Sequence, residues 1–127
     1  MASRCVLIVE DEMCLAMLLE DLLTDGGYHV LKAARVQDAL KLAGDEHVDA
    51  ALLDVNLGNE QVYPVAERLN TQGVPFLFAS AYGRSGIAEE YRDFPFLPKP
   101  YATDEIIPTI ERLLEASATP ARYGRPA

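Results

Sequence analysis

Four apolar runs of this sequence end in polar side chains that can do chemistry, and these side chains are Glu10 with Asp11, Asp54, Ser80 and Lys99. If the runs are neighbouring parallel strands, their carboxyl ends meet at one edge of a sheet, and the side chains meet there too. Carboxylates gathered in one place repel one another unless a cation joins them or protons are retained. Mg²⁺ fits this need, because it binds oxygen ligands, uses one or two carboxylates and keeps several waters.

The lysine and the serine at this edge suit a phosphoryl group better than a metal. The ammonium of Lys99 opposes phosphoryl charge, and the hydroxyl of Ser80 can donate to a phosphoryl oxygen. Together with a metal and a carboxylate that can attack, they predict a phosphoryl-transfer site in which Asp54 is the nucleophile. A structural alternative has Asp54 capping a turn while Lys99 pairs with a solvated acid. Agreement among four strand ends favours the site.

The elements that carry these side chains alternate between strands and helices. Runs rich in apolar and β-branched residues predict five strands, over residues 5–9, 28–34, 49–54, 74–80 and 94–99. A continuously apolar run is typical of a central parallel strand, which is covered on both faces. Pro95 and Pro98 cannot donate to a strand ladder, so the fifth strand is expected at a sheet edge.

Apolar residues at helical spacing follow the strands. The stripes are Leu15-Leu18-Leu19-Leu22-Leu23, Val36-Ala39-Leu40-Ala43, Val62-Val65-Ala66-Leu69 and Ile106-Ile107-Ile110-Leu113-Leu114. Pro64 is tolerated only in a first turn, and Pro108 is expected to delay or kink a last helix over residues 104–116. Residues 83–93 contain two glycines and a short apolar pattern, so a fourth helix there is expected to be short or weak.

This order of elements predicts an α/β fold with a doubly wound, five-stranded parallel sheet in the order 2-1-3-4-5. The first and third strands are then neighbours at the switch point, where such sheets bind ligands. Residues 1–116 are expected to form the domain. Residues 117–127 contain two prolines and little apolar periodicity, and are expected to be a disordered tail.

Length and composition limit the possible classes of protein. The 127 residues fit one domain, and the net charge of -9 disfavours a nucleic-acid partner, because the field of the protein opposes phosphates. No run approaches a membrane span, and the first residues lack secretory features, so we expect a cytoplasmic protein with no membrane partner. Cys5 and Cys14 lack metal-site or disulfide spacing and are expected to be core thiols.

The segments "LIVEDE", "LLDVNLG", "FLFASAYG" and "FLPKPY" together resemble the receiver domain of two-component response regulators, over about residues 4–116. The resemblance implies a flavodoxin-like receiver fold and a phosphoryl group on Asp54, taken from a phosphohistidine on a sensor kinase or phosphotransfer protein. It also implies that Mg²⁺ is bound by Asp11, Asp54 and the backbone carbonyl of Asn56, with Glu10 acting through water. Ser80 and Lys99 would contact the phosphoryl group, and the Lys99–Pro100 peptide would be cis.

The segment "FLFASAY" further resembles the Phe-Ala-Thr-Gly-Tyr pattern of a receiver subgroup, often single-domain, in which the fourth helix is poorly formed. Ser80 and Ala81 depart from its Thr-Gly pair, conservatively at the hydroxyl. Phe96 lies three residues before Lys99, where many receivers carry a switching aromatic residue. Phe96 and Tyr82 are therefore switch candidates, and plain core packing is the alternative for Phe96.

The leading functional hypothesis is a stand-alone receiver that signals by binding an unidentified downstream protein. It would catalyse its own phosphorylation and dephosphorylation, and would not be an enzyme with a separate substrate. One alternative is a Mg²⁺-dependent phosphatase with an aspartyl-phosphate intermediate, but such enzymes usually need a second acid where this chain has Asn56. The other is an interaction module that works without phosphorylation, against which the complete acidic pocket argues.

Overall fold

The structure is a computed structural model that describes residues 4–117, with side chains described to residue 115. Its α-helices are α1 (Met13–Asp25), α2 (Val36–Asp45), α3 (Tyr63–Gln72) and α4 (Thr103–Ser117). Its strands are β1 (Cys5–Val9), β2 (His29–Ala33), β3 (Ala50–Asp54), β4 (Asn56–Leu57), β5 (Glu60–Gln61), β6 (Phe76–Ser80) and β7 (Phe96–Pro98). Of the predicted tail, residues 118–127 lie outside the described residues, and Ser117 belongs to α4.

Five strands form one parallel sheet in the order β2-β1-β3-β6-β7. The prediction of a doubly wound sheet is confirmed, because β6 and β7 are the fourth and fifth of its strands along the chain. β1, β3 and β6 are buried at every position, as continuous apolar runs require. β7, flanked and ended by prolines, lies at an edge as expected.

Helices cover both faces of the sheet, and each face has its own apolar core. On one face, Val6 and Ile8 of β1 pack with apolar residues of α1 and α4. On the other face, Leu7 and Val9 pack with residues of α2 and α3. Successive residues of a strand point to opposite faces, so one apolar strand serves both cores. No helix within residues 4–117 has the length and apolar character to cross a membrane.

Helix α1 buries a narrower stripe than its leucines suggest. Its buried residues are Ala16, Leu19 and Leu23, while Leu18 is exposed. Leucines at adjacent helical positions cover more than one face, and only one face can meet the sheet. The prediction that both cysteines are core thiols is wrong for Cys14, which lies on the exposed side of α1, and right for Cys5, which is buried in β1.

The two helical prolines behave differently. Pro64 lies in the first turn of α3, where the missing N–H has no helical partner to lose. Pro108 lies inside α4, which nevertheless begins at Thr103, so the proline does not delay the helix. The buried residues Ile106 and Ile110 flank it and hold the helix to the sheet.

Residues 83–93 form no α-helix, in agreement with the expected weak fourth helix. They contain two short 3-10 turns, Gly83–Gly86 and Glu89–Tyr91. Ile87 between them is buried, and the N–H of Ala88 donates to the Tyr63 hydroxyl at 2.7 Å. The segment is therefore held to the core by a few side chains, and its helical hydrogen bonds are confined to the two short 3-10 turns.

Candidate functional site

The sheet brings the predicted residues to one edge. Glu10 follows β1, Asp54 ends β3, Ser80 ends β6 and Lys99 follows β7. The strand register sets Asp54 opposite Ala79 and Ser80 opposite Pro98, so neighbouring strands end almost level with one another. Glu10, Asp54 and Ser80 are buried, although all three are polar.

Three carboxylates meet at the switch point between β1 and β3. Glu10, Asp11 and Asp54 each offer an oxygen, and these oxygens lie within 4.8 Å of one another. Glu10 and Asp54 are 3% and 6% exposed, whereas Asp11 is exposed and opens the cluster to solvent. Across residues 4–117, no other group of acids, histidines and cysteines comes together in this way.

Glu10 has an unusual protonation equilibrium. Burial, followed by the charge of Asp54 and a hydrogen bond with it, raises the pKa of Glu10 from 4.5 to about 7. The Lys99 charge and the N–H of Glu12, which donates to Glu10 Oε2 at 3.2 Å, partly oppose this rise. Two buried carboxylates thus share one small site, and the positive charge of Lys99 does not fully offset their mutual repulsion.

Lys99 holds the two buried acids together. Its Nζ lies 3.2 Å from Glu10 Oε1 and 3.4 Å from Asp54 Oδ2. Burial alone would lower the pKa of Lys99, but the charges of Asp54 and Glu10 outweigh burial, so the net shift is upward. Lys99 is therefore a fixed cation between the two carboxylates. The structural alternative predicts that Lys99 pairs with one solvated acid. Lys99 does pair with Glu10, but Glu10 is buried and Lys99 contacts a second buried acid, Asp54.

Ser80 is held in place by its neighbours. Its Oγ accepts a hydrogen bond from the N–H of Tyr82 at 3.1 Å, and its carbonyl accepts from the N–H of Lys99 at 3.0 Å. A Cβ built on Gly86 would lie 2.4 Å from Ser80 Oγ, so the first 3-10 turn passes directly over the hydroxyl. Movement of Ser80 therefore involves both the Lys99 backbone and this turn.

Asn56 lies in a small hairpin that the sequence does not reveal. Asn56 begins β4, is exposed and pairs with Gln61 of β5 across a two-residue turn. Gly58 in that turn has a φ of +61°, a conformation that favours glycine. A Cβ added to Gly58 would lie 3.8 Å from Asp11 Oδ2, so this residue faces Asp11. The hairpin thus brings Asn56 and Gly58 to the side of the acidic cluster.

The switch candidates occupy different environments. Phe96 is half-buried in β7, and the guanidinium carbon of Arg84 lies 4.7 Å from its ring centroid. Tyr82 is 74% exposed, and only its backbone contacts Ser80. The Lys99–Pro100 peptide is cis, as the resemblance implies. Phe96 therefore links β7 to the turn that lies over Ser80.

Tyr101 is a residue of the site that sequence reasoning missed. Its hydroxyl is enclosed and makes no hydrogen bond of ordinary geometry, although Glu10 is near enough for an incipient hydrogen bond to contribute to the raised pKa of Tyr101. Lys99 Nζ lies 5.9 Å from its ring centroid. Burial and then the charges of Glu10 and Asp54 raise its pKa. The available signal was its position two residues after Lys99, in the segment "KPY".

The donor set fits a hard divalent cation. All three side chains of the cluster are carboxylates, and the exposed Asp11 leaves room for the waters that Mg²⁺ keeps. A cation would also relieve the repulsion that raises the pKa of Glu10. Asp54, which belongs to this cluster and also contacts Lys99, has the neighbours that a carboxylate nucleophile for phosphoryl transfer needs.

The sequence model of the response regulator receiver domain matches residues 6–111. The chain belongs to this family. The strand order of the receiver domain and its four strand-end residues agree with the resemblance given by the sequence motifs. The likeness to the Phe-Ala-Thr-Gly-Tyr subgroup stays a prediction.

Curated relatives of this receiver domain are named as transcriptional regulators or as a response regulator. The chain is similar to the transcriptional regulatory protein PdtaR of Mycobacterium tuberculosis, with 29% identity over 113 residues, which cover 85% of this chain and 55% of PdtaR. It is also similar to the polar-differentiation response regulator DivK of Brucella ovis, with 27% identity over 88% of this chain and 97% of DivK. The chain spans about half the length of the first relatives that it matches.

A solved structure is also similar to this receiver domain. The solution structure of SdrG from Sphingomonas melonis Fr1 has a TM-score of 0.78 and 38% identity, over 90% of this chain and 99% of SdrG. A receiver domain protein from Methanospirillum hungatei has a TM-score of 0.80 at 19% identity, over 92% of this chain and 98% of that chain, and shows likeness of fold alone.

Proposed function

We propose that this receiver domain accepts a phosphoryl group on Asp54 from a phosphohistidine, with Mg²⁺ as cofactor. The observation that carries the proposal is the position of Asp54, which is buried, shares a cluster with the carboxylates of Glu10 and Asp11, and lies 3.4 Å from the Lys99 ammonium. Family membership supports it independently, since receiver domains take phosphate on an aspartate at this strand end.

In the proposed reaction, an Asp54 oxygen attacks the phosphorus, the new P–O bond forms as the P–N bond breaks, and the histidine nitrogen leaves. Asp11 and Asp54 would be the side-chain ligands of Mg²⁺, Asn56 would add its backbone carbonyl and Glu10 would act through water. The bound cation supplies neutralisation of the charge that develops on the phosphoryl oxygens. Lys99 provides a second positive charge, and the Ser80 hydroxyl provides a hydrogen bond to one oxygen.

This role makes the chain a phosphoacceptor that catalyses its own modification, and not an enzyme with a separate substrate. Its partners are a sensor kinase or phosphotransfer protein, which donates the phosphate, and a downstream protein that binds the phosphorylated form. The expected location is the cytoplasm, where ATP-dependent kinases act. The relatives named as regulators support signalling as the outcome. Residues 1–116 are the proposed functional unit.

The test is direct phosphorylation. We expect acetyl phosphate or a phosphorylated kinase, with Mg²⁺, to add one phosphate to the wild-type chain by intact mass. Asp54→Asn is expected to lose the label, because its amide is a poor nucleophile. Asp38→Asn is the matched control, because Asp38 lies on the solvent-exposed side of α2, and this variant is expected to label normally. Wild-type labelling of Asp54→Asn would overturn the assignment.

A second arm tests the metal. Asp11→Ala is expected to label slowly, because a metal ligand is lost while Asp54 is intact. Adding Mg²⁺ well above the wild-type requirement is expected to restore part of the rate. If Asp11→Ala labels as fast as wild type and still requires Mg²⁺, the cation is bound elsewhere.

A further inference from the structure

Tyr101 presents a buried polar group that the site, as described, does not use. Its side chain is half-buried, and its hydroxyl oxygen is enclosed without a hydrogen-bond partner, which is true of no other buried side-chain nitrogen or oxygen among the described residues. Native structures pair nearly all such groups, because an enclosed, unpaired hydroxyl is costly. An orphan hydroxyl at a reaction site is therefore a sign of a partner that appears in another state.

The surroundings of the hydroxyl identify the kind of partner. The charged groups that act most strongly on it are Glu10 and Asp54, and both are acceptors when ionised. Because an ionised carboxylate only accepts hydrogen bonds, the hydroxyl can act only as a donor toward them. Tyr101 is thus a donor beside two carboxylates, and its hydrogen bond with Glu10 falls short of ordinary geometry.

In this structure each carboxylate oxygen of Glu10 accepts a hydrogen bond from a group other than Tyr101. Oε1 accepts from Lys99 Nζ at 3.2 Å, and Oε2 accepts from the N–H of Glu12 at 3.2 Å. Lys99 also contacts Asp54, so one ammonium serves two acids. Any event that draws Lys99 away from Glu10 leaves a buried carboxylate oxygen without a donor, and the Tyr101 hydroxyl is the polar group beside it.

We infer that Tyr101 is a positioning residue, whose hydroxyl donates to Glu10 when a cation and a phosphoryl group draw Lys99 away from that carboxylate. The inference rests on the proposed function, because it is the Mg²⁺-loaded, phosphorylated state that displaces Lys99. Tyr101 touches neither the phosphoryl group nor the cation. It keeps the Glu10 carboxylate oriented toward the metal-bound water when its ion pair is lost.

The experiment compares Tyr101→Phe with wild type in two measurements. Unfolding by urea without Mg²⁺ tests whether the hydroxyl is unpaired, and calorimetric titration with Mg²⁺ in the presence of beryllofluoride tests whether it acts in the loaded state. We expect Tyr101→Phe to be as stable as wild type or more so without Mg²⁺. We expect it to bind Mg²⁺ about tenfold more weakly, the factor that loss of a hydrogen bond to a charged acceptor gives.

Tyr63→Phe is the matched control. Tyr63 is also half-buried, but its hydroxyl accepts from the N–H of Ala88 at 2.7 Å and faces the opposite core. We expect this variant to lose stability without Mg²⁺ and to keep its Mg²⁺ affinity. The two tyrosines should therefore give opposite patterns.

The outcomes separate this inference from the proposed function. If wild type binds Mg²⁺ and Tyr101→Phe binds it equally well, the inference is overturned while the function stands. A loss of Mg²⁺-free stability in Tyr101→Phe, at unchanged affinity, would show an ordinary structural hydroxyl and would also overturn it. If wild type binds no Mg²⁺, the proposed cofactor fails first and the inference fails with it.

Discussion

Replacing Gly86 with alanine tests whether the first 3-10 turn controls the Ser80 hydroxyl. A Cβ at this position would lie 2.4 Å from Ser80 Oγ and 3.0 Å from the Cβ of Tyr82, inside the 3.4 Å at which ordinary contact begins. Ser80 is 3% exposed, so its hydroxyl has little free space into which it can turn. Either Ser80 leaves its rotamer, or the turn moves away from the sheet.

The cost follows from overpacking and from one hydrogen bond. Inserting a methyl group into a packed site costs about 1–3 kcal/mol. The hydrogen bond from the Tyr82 N–H to Ser80 Oγ, at 3.1 Å, is lost if the hydroxyl turns, which adds about 1 kcal/mol. We therefore expect Gly86→Ala to lower the free energy of unfolding by about 2–4 kcal/mol, measured by urea unfolding with circular dichroism.

The cause can be isolated with a double variant. Ser80→Ala removes the closest atom, so the new methyl group keeps an ordinary contact with Ser80 Cβ at 3.7 Å and the tighter one with Tyr82 Cβ at 3.0 Å. The cost of Gly86→Ala should therefore fall by about 1–2 kcal/mol in the Ser80→Ala background. An equal cost in both backgrounds, or no cost in wild type, would refute the reasoning.

Gly44→Ala is the control for the glycine itself. Gly44 lies within α2, where the new Cβ would meet only the flexible end of Arg68 at 3.1 Å. Alanine is the better helix former, so this variant should gain roughly 0.5–1 kcal/mol. A loss at Gly86 and a gain at Gly44 would show that crowding over Ser80, and not glycine replacement in general, decides the result.

Three further predictions concern pH, signalling and exchange. The pKa of Glu10 is about 7 in the folded chain and near 4.5 in the unfolded chain. Between pH 4.5 and about 7, the folded chain therefore keeps a proton on Glu10 that the unfolded chain has released. The Mg²⁺-free chain should therefore lose stability as the pH rises from about 4.5 to about 7 in urea unfolding, and Glu10→Gln should remove this slope. Lys99→Ala should fold and accept phosphate on Asp54 but lose the amide chemical-shift changes that report activation, so a full wild-type shift would contradict it. Amide exchange across residues 83–93 should slow when beryllofluoride and Mg²⁺ are added, and strong protection in both states would place signalling on another face.

Much of the fold follows from the sequence because the strands are buried on both faces. A continuous apolar run such as β3 can lie only in the middle of a covered sheet, and prolines exclude the last strand from the middle. Because parallel strands end at the same edge of the sheet, the sequence predicts that Asp54 and Lys99 lie near each other even when no side-chain contact is known. Position along the chain, together with sheet topology, predicts the site.

What the sequence did not reveal depends on packing between distant segments. The β4–β5 hairpin has two-residue strands, which are too short to show a periodic pattern. Tyr101 reads as an ordinary loop aromatic, and its hydroxyl matters only because the chain after Pro100 folds back over the acids. Gly86 reads as a turn residue, while its real constraint is the Ser80 hydroxyl beneath it.

The edge strand β7 also affects how this chain meets other chains. Its ladder to β6 uses the carbonyl of Pro95 and the N–H of Lys99, and Pro98 between them has no N–H to offer a further strand. At the opposite edge, β2 carries the exposed Lys32, a charge that discourages strand addition. Sheet extension between copies is therefore opposed at both ends, which protects a short, acidic domain from edge-to-edge aggregation and strand exchange. Self-association of this domain should use helical faces.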